Sequence, residues 1–79
     1  MRLDAEEVAQ DEFCIGFGAF AGDCNLSATG DLNEAASRLY ECLHLAASSD
    51  KPRIAVAAIP DSEVGRAIND RLNRAAGEG

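Results

Sequence analysis

The segment best placed to do chemistry is a glycine-containing stretch that follows a short apolar run. Residues 16–21 read Gly-Phe-Gly-Ala-Phe-Ala, which matches the G-x-G-x-x-G/A pattern of dinucleotide-binding folds. In those folds a helix opens directly after the glycines, and its N-terminal amides bind the pyrophosphate. Here no helical stripe begins before Leu32. We therefore expect no dinucleotide site, and a nucleotide-binding module is only a third hypothesis for the function.

Three cysteines and one histidine are the other reactive side chains, at Cys14, Cys24, Cys42 and His44. An odd number of cysteines without a C-x-x-C pair predicts free cytosolic thiols rather than a disulfide framework or a zinc site. Cys42 and His44 lie two positions apart in a predicted helix, so they do not face each other as a nucleophile pair. We predict no catalytic, cofactor-binding or metal-ligating residue in this chain, and His44 is expected to face solvent.

Acidic residues outnumber basic ones by 14 to 7, which gives a net charge of −7. Such a surface repels phosphate backbones, so direct nucleic-acid binding is not expected. The imbalance lies in residues 1–50, because residues 51–79 carry five bases and four acids. No apolar run approaches the roughly 20 residues of a membrane span. The first residues also lack an apolar signal core, so we expect a cytoplasmic protein without a membrane partner.

The elements that must position these residues follow from apolar periodicity. The 79 residues fit one small domain, with 1–12 as a lead-in segment or edge strand and 13–76 as an α/β core. Apolar runs at 13–17 and 54–59 predict strands, the second covered on both faces. A very short strand fits 24–26, and 19–23 is predicted to be a loop. The predicted fold is a small α/β layer with a mainly parallel, short-stranded sheet and two main helices.

Both helices are predicted from caps and apolar stripes. The first begins after Asp31, with Glu34 placed to close a capping box. The second follows Asp61 or Ser62, and residues 77–79, Gly-Glu-Gly, are predicted to terminate it. The predicted core stripes are Leu32, Ala35, Ala36, Leu39, Leu43 and Ala46 in the first helix, and Val64, Ala67, Ile68, Leu72 and Ala75 in the second.

Three stretches of the chain together resemble a known family. They are residues 2–8 with 15–18, residues 25–36, and residues 53–60 with 65–76. The most specific parts are Asn-Leu-Ser-Ala-Thr-Gly-Asp-Leu from residue 25 and Ala-Ile-Asn-Asp-Arg-Leu-Asn-Arg-Ala-Ala from residue 67. In order and spacing, these stretches resemble the C-terminal domain of the two-domain threonylcarbamoyl-AMP synthases over nearly the whole chain. One departure is Ser-Glu-Val at residues 62–64, where the family often has a glycine.

The resemblance implies a small Rossmann-like α/β layer and a single accessory or regulatory domain without catalytic residues. The parent enzyme, a nucleotidyltransferase, converts ATP, threonine and bicarbonate to L-threonylcarbamoyladenylate and pyrophosphate for tRNA threonylcarbamoyladenosine modification. Its ATP, with Mg, is implied to bind a YrdC-like catalytic domain that this chain lacks. That catalytic domain and its linker are the expected partners. Asn69, Asp70, Arg71 and Arg74 match family positions and are candidate docking residues. The alternative function is a stand-alone acidic protein-interaction module.

Overall fold

A mixed five-stranded sheet and two helices make up the computed structural model, which describes residues 1–78. The elements are β1 (Arg2–Ala5), β2 (Glu12–Phe17), β3 (Phe20–Gly22), β4 (Cys24–Asn25), α1 (Leu32–Ser48), β5 (Arg53–Ala57) and α2 (Glu63–Glu78). β5 lies between β1 and β2 and is parallel to both. β2 pairs in parallel with β4 and antiparallel with β3. The predicted α/β class with a mainly parallel sheet is confirmed.

One face of the sheet is covered by both helices, which also contact each other. Ile15 of β2 and Val56 of β5 point to this face and are fully buried. The helices contribute Leu39, Ile68 and Leu72 to the same core. Because side chains alternate along a strand, the neighbours of Ile15 and Val56 must point to the opposite face.

That opposite face is built from small residues, among them Cys14, Ala55 and Ala57, all of them buried. β1 and β2 run in the same direction on either side of β5, so residues 6–11 must cross the sheet. The segment crosses on the side of the sheet away from the helices, where the Glu12 side chain accepts a hydrogen bond from the Ala9 amide at 2.9 Å. Small side chains beneath the segment let its backbone lie close to the sheet.

A partly buried ion pair fastens the crossing segment. Arg2 donates through Nε at 3.0 Å and Nη2 at 2.7 Å to the carboxylate of Glu12, whose side chain is only 5% exposed. Arg2 Nη2 also donates to the Glu7 carbonyl at 2.8 Å. The hydrogen bonds from Arg2 and then from the Ala9 amide lower the pKa of Glu12 from its ordinary 4.5 to about 2. Residues 1–12 thus include an edge strand, one of the two predicted alternatives, and Glu12 already belongs to β2.

The glycine-containing stretch is a hairpin, and the predicted loop at 19–23 is wrong because β3 forms there. Phe17 of β2 pairs with Phe20 of β3. A Cβ on Gly16 would lie 2.1 Å from the Phe20 carbonyl oxygen, so the hairpin backbone occupies the space above it. Gly18 makes the turn with φ of 62°, which favours glycine. The two glycines therefore serve strand pairing, and the helix that pyrophosphate binding needs begins only at Leu32.

The start of α1 confirms the predicted cap but not the capping box. Asp31 Oδ1 accepts from the amides of Asn33 at 2.9 Å and Glu34 at 3.4 Å. Glu34 does not reach the Asp31 amide, as a capping box requires. Its carboxylate accepts from the fully buried Ser27 hydroxyl at 2.6 Å, and that hydroxyl accepts from the Asp31 amide at 2.9 Å. The Ser27 hydroxyl thus bridges the Asp31 amide and the Glu34 carboxylate, and it joins the preceding turn to the helix.

The remaining boundaries differ from the prediction by a few residues. β5 ends at Ala57 instead of residue 59, although Ile59 beyond it is buried in the core. α2 continues through Gly77 to Glu78, whereas Gly77 was expected to begin the helix end. Glycine lowers helix propensity by only about 1 kcal/mol, which a helix end tolerates. Gly79, the last residue of the predicted domain, lies outside the described residues.

Candidate docking surface

The four candidate docking residues lie on two different sides of α2. Asn69 faces the carboxyl ends of the strands, where its side-chain amide donates to the Ile59 carbonyl at 3.0 Å. Asp70, Arg71 and Arg74 instead line a depression beside Tyr40 of α1. The structure therefore separates Asn69, which fastens α2 to the loop after β5, from three residues that share an exposed surface with α1.

A cavity of about 220 Å³ lies between the two helices, and we call it the interhelical groove. Its lining residues are Ala36, Leu39, Tyr40, Ala67, Ile68 and Arg71. Leu39 and Ile68 are buried, so they form the apolar floor. Ala36 and Ala67 were predicted to be core residues, but both are exposed. A methyl side chain at these two positions is too short to fill the space between the helices, which leaves the groove open.

Tyr40 and Arg71 form the polar wall of the interhelical groove. The Arg71 guanidinium carbon lies 5.0 Å from the centroid of the Tyr40 ring, which is a cation–π distance. Arg71 Nη1 also donates a hydrogen bond to the Tyr40 hydroxyl. Tyr40 is nevertheless 62% exposed, so the pair is held together by its own contacts while remaining open to solvent.

Arg71 differs from every other basic side chain in residues 1–77. Each of the other six has a carboxylate oxygen within 4.0 Å: Arg2, Arg38, Lys51, Arg53, Arg66 and Arg74. Arg71 has none among the side chains described, and its only polar partner there is the Tyr40 hydroxyl. Within residues 1–77, one arginine of a protein with a net charge of −7 thus has no carboxylate beside it.

A second cavity, of about 330 Å³, opens at the carboxyl ends of β1 and β5. Asp4, Asp61, Asn69 and Asn73 supply its polar groups. Each carboxamide nitrogen uses one of its two N–H donors inside α2 and its loop, since Asn73 donates to the Asn69 carbonyl at 2.9 Å and Asn69 donates to Ile59. The carboxylates of Asp4 and Asp61, with no basic side chain among the described lining residues, make this cavity a poor site for a phosphate.

The cysteines do not form the predicted set of three free thiols. Cys24 of β4 and Cys42 of α1 form a disulfide, with Cα atoms 5.7 Å apart, and only Cys14 is free. The prediction was wrong because β4 lies directly under α1, a proximity that a separation of 18 residues does not reveal. Burial, and then the negative charge of Asp23, raises the pKa of the Cys14 thiol. A buried thiol with a raised pKa is a poor nucleophile.

The histidine stands apart from the cysteines, as predicted. His44 is exposed on α1, whereas Cys42 is fully buried in its disulfide, so the two do not form a nucleophile pair. Among the described residues, no three histidine, cysteine, aspartate or glutamate side chains cluster in a way that would hold a metal ion. None of the described helices is both long enough and apolar enough to cross a membrane.

Sequence reasoning missed Tyr40 as a functional candidate and treated it as a flank of the apolar stripe. The signal in the sequence was an aromatic residue just outside that stripe, one helical turn after Ala36. The structure adds Ala67 of α2 across the groove, where a larger side chain would close the helix interface. Aromatic residues and arginine are enriched at protein-interaction hot spots. The link between Tyr40 and Arg71, which lie 31 residues apart, appears only when α1 packs against α2.

The fold and the surface together define a small α/β domain with an open groove between its two helices. The sequence model of one family, described as the C-terminal domain of threonylcarbamoyl-AMP synthase, matches residues 3–77. The chain therefore belongs to this family of synthase C-terminal domains, as the resemblance predicted. Searches of curated proteins and of solved structures give no significant match.

Proposed function

We propose that this domain is a non-catalytic accessory element of an L-threonylcarbamoyladenylate synthase, acting on the catalytic domain or its linker during tRNA threonylcarbamoyladenosine modification. The observation that carries the proposal is the family match over residues 3–77. In this proposal ATP and Mg bind the catalytic domain in the cytoplasm, and neither nucleic acid nor membrane contacts this domain.

The charge arrangement of the described residues supports a role without triphosphate chemistry. Transfer of an adenylyl group needs cations placed around the phosphates as negative charge develops. Here six of the seven basic side chains are paired with carboxylates, and the seventh, Arg71, stands alone beside Tyr40. The chain by itself should therefore release no pyrophosphate from ATP, threonine and bicarbonate. Turnover above a buffer blank would contradict this.

An electrostatic route to regulation follows from the acidic residues that have no ion-pair partner. Asp4, Glu6 and Glu7 are exposed at the end of β1, and no basic side chain in residues 1–77 pairs with their carboxylates. A cleft that binds ATP is positive, so this acidic surface would be attracted to the cleft when ATP is absent. Exposed charges are screened beyond about 10 Å at 0.1 M salt, so the attraction should weaken as salt rises.

The test is steady-state kinetics of the parent synthase, with pyrophosphate release measured at low and high salt. Deleting the domain should change ATP binding or turnover without abolishing adenylate formation. Glu6→Lys should alter the salt dependence more than its matched control Glu63→Lys, because both glutamates are exposed but only Glu6 lies in the acidic half. Identical kinetics for the parent, the truncation and both variants would overturn the gating role.

A further inference from the structure

We propose that the interhelical groove is a docking site for an acidic peptide segment, with one apolar side chain seated between the helices and a neighbouring carboxylate bound by Arg71 and Tyr40. The proposal goes beyond the accessory role, because it names a surface and a partner chemistry that do not depend on which protein supplies the segment. It rests on three observations: the size of the groove, its free donors and its charge.

The size of the groove selects a single side chain. Its volume of about 220 Å³ lies below the roughly 300–1,000 Å³ of small-molecule pockets. The apolar surface that an aliphatic group would cover belongs mainly to the exposed Ala36, Ala67 and Tyr40, since Leu39 and Ile68 beneath them are already buried. The exposed alanines at its rim, Ala36 and Ala67, leave room for such a group to enter from solvent.

The free donors select a carboxylate. A guanidinium has five N–H donors, and Arg71 uses one of them on the Tyr40 hydroxyl. Since that hydroxyl accepts from Arg71, its own hydrogen is left to donate. The ring of Tyr40 lies against the guanidinium and limits its movement, so two kinds of donor are held side by side. Arginine binds carboxylates with two parallel hydrogen bonds when its donors are free.

The local charge at Arg71 favours a carboxylate over a neutral group, against the general repulsion from a net charge of −7. Arg71 is the basic side chain without a carboxylate partner in residues 1–77, although the protein carries 14 acidic residues. Arg74 in the adjoining depression is paired with Asp70 at 3.2 Å, so the free positive charge is localised at Arg71. An external carboxylate would give Arg71 an ion-pair partner, as each of the other six basic side chains already has.

The test is a titration of the ¹⁵N-labelled 79-residue chain, followed by amide shifts, with two blocked pentapeptides. One carries a leucine followed by two glutamates, and its twin carries glutamines instead. One apolar contact and one exposed ion pair predict weak binding, near the millimolar range, so peptide is added to about 10 mM. The acidic peptide should shift amides around Tyr40 and Arg71, and its twin should bind about fivefold more weakly, as expected for an exposed ion pair.

Substitutions at the charged and the apolar part of the groove test the two halves of the proposal separately. Arg71→Gln should weaken the acidic peptide to the level of its twin, whereas the matched control Arg66→Gln, on the same helix but outside the groove, should leave binding unchanged. Ala67→Leu fills the groove at an exposed position and should weaken both peptides, while thermal melts report whether the fold is retained. If Ala67→Leu does not fold, Ala36→Leu tests the same space from α1.

Three outcomes would overturn the proposal. The first is an absence of localised shifts with the acidic peptide. The second is equal binding of inorganic phosphate, unaffected by Ala67→Leu, which would indicate a bare anion site. The third is dimerisation in sedimentation that Arg71→Gln abolishes, which would assign the groove to a second copy of the chain. None of these outcomes bears on the kinetics of the parent synthase, so failure here and failure of the accessory role are distinguishable.

Discussion

The two helices cover the same face of the sheet but are attached to it in different ways. α1 is fixed by directed bonds: the disulfide at Cys42, the Asp31 cap, the Ser27–Glu34 hydrogen bond, and a 2.6 Å hydrogen bond from Arg38 to the Asn25 carbonyl. α2 relies mainly on apolar packing of Ile68 and Leu72. Its only described side-chain hydrogen bond to the loop after β5 is the one from Asn69 to Ile59.

This difference suggests which helix is able to respond to a partner. A disulfide and several buried or part-buried hydrogen bonds hold α1 in one position, whereas α2, within the described residues, has only the Asn69 hydrogen bond and the exposed Arg66 and Arg71 contacts beside its packing, which permits small adjustments. The groove between them has Tyr40 on the fixed helix and Arg71 on the adjustable one. A ligand that binds both side chains would therefore couple α2 to α1. The predictions below test this contrast, from the largest expected effect to the smallest.

The largest effect is expected at Val56, which packs in the same apolar core as residues of both helices. Val56 of β5 is fully buried, and the core around it is apolar. Val56→Asp should unfold the whole domain, because a buried carboxylate without a partner costs several kcal/mol. Circular dichroism with urea titration measures this, and Ala58→Asp, at an exposed neighbouring position, is the control. A cooperative transition at an unchanged midpoint in Val56→Asp would contradict the architecture.

The next effect compares one leucine on each helix. Leu39 and Leu72 are 3% and 1% exposed, so replacing either by alanine should cost about 2–5 kcal/mol of unfolding free energy. Hydrogen exchange should then distinguish the helices. Leu72→Ala is expected to open α2 locally, while Leu39→Ala should lower protection throughout, since directed bonds tie α1 to the sheet. Equal loss of protection in both helices for both variants would remove the contrast.

Reducing the disulfide should lower the stability of the domain, because α1 loses one of the bonds that fix it to the sheet. Cys24 and Cys42 enclose a loop with a sequence separation of 18, for which chain entropy predicts a stabilisation of about 3 kcal/mol. Urea unfolding with and without reductant measures the difference. Cys42→Ala serves as the control, because reductant should not change its midpoint. Coincident curves for the unmodified chain would show that the bond adds nothing to the stability of α1.

The smallest effect concerns the opposite face of the sheet and depends on pH. The pKa of Glu12 is lowered in the folded state, so its contribution to stability is present above pH 4.5 and is lost as pH falls toward about 2. The stability difference between the unmodified chain and Glu12→Gln should therefore shrink over this range. Thermal melts from pH 7 to pH 2 measure it. A difference that stays constant with pH would contradict the ion pair with Arg2.

Much of the framework was determined by local sequence. Apolar periodicity predicted both helices and the buried strand β5, and Asp31 predicted the start of α1, because these signals act within one or two turns of the chain. The stretches at 25–32 and 67–76 carried the family resemblance. They also contained Arg71, so one half of the proposed docking pair was predicted from the sequence.

The tertiary structure alone decided which distant residues meet. Cys24 and Cys42 bond because β4 lies under α1, and Tyr40 meets Arg71 because α1 packs beside α2. Ala36 and Ala67 fit the period of a buried stripe, yet the angle and spacing of the helices leave them exposed around a groove. Periodicity reports which face of a helix is apolar, but only the packing of one element on another determines how much of that face is covered.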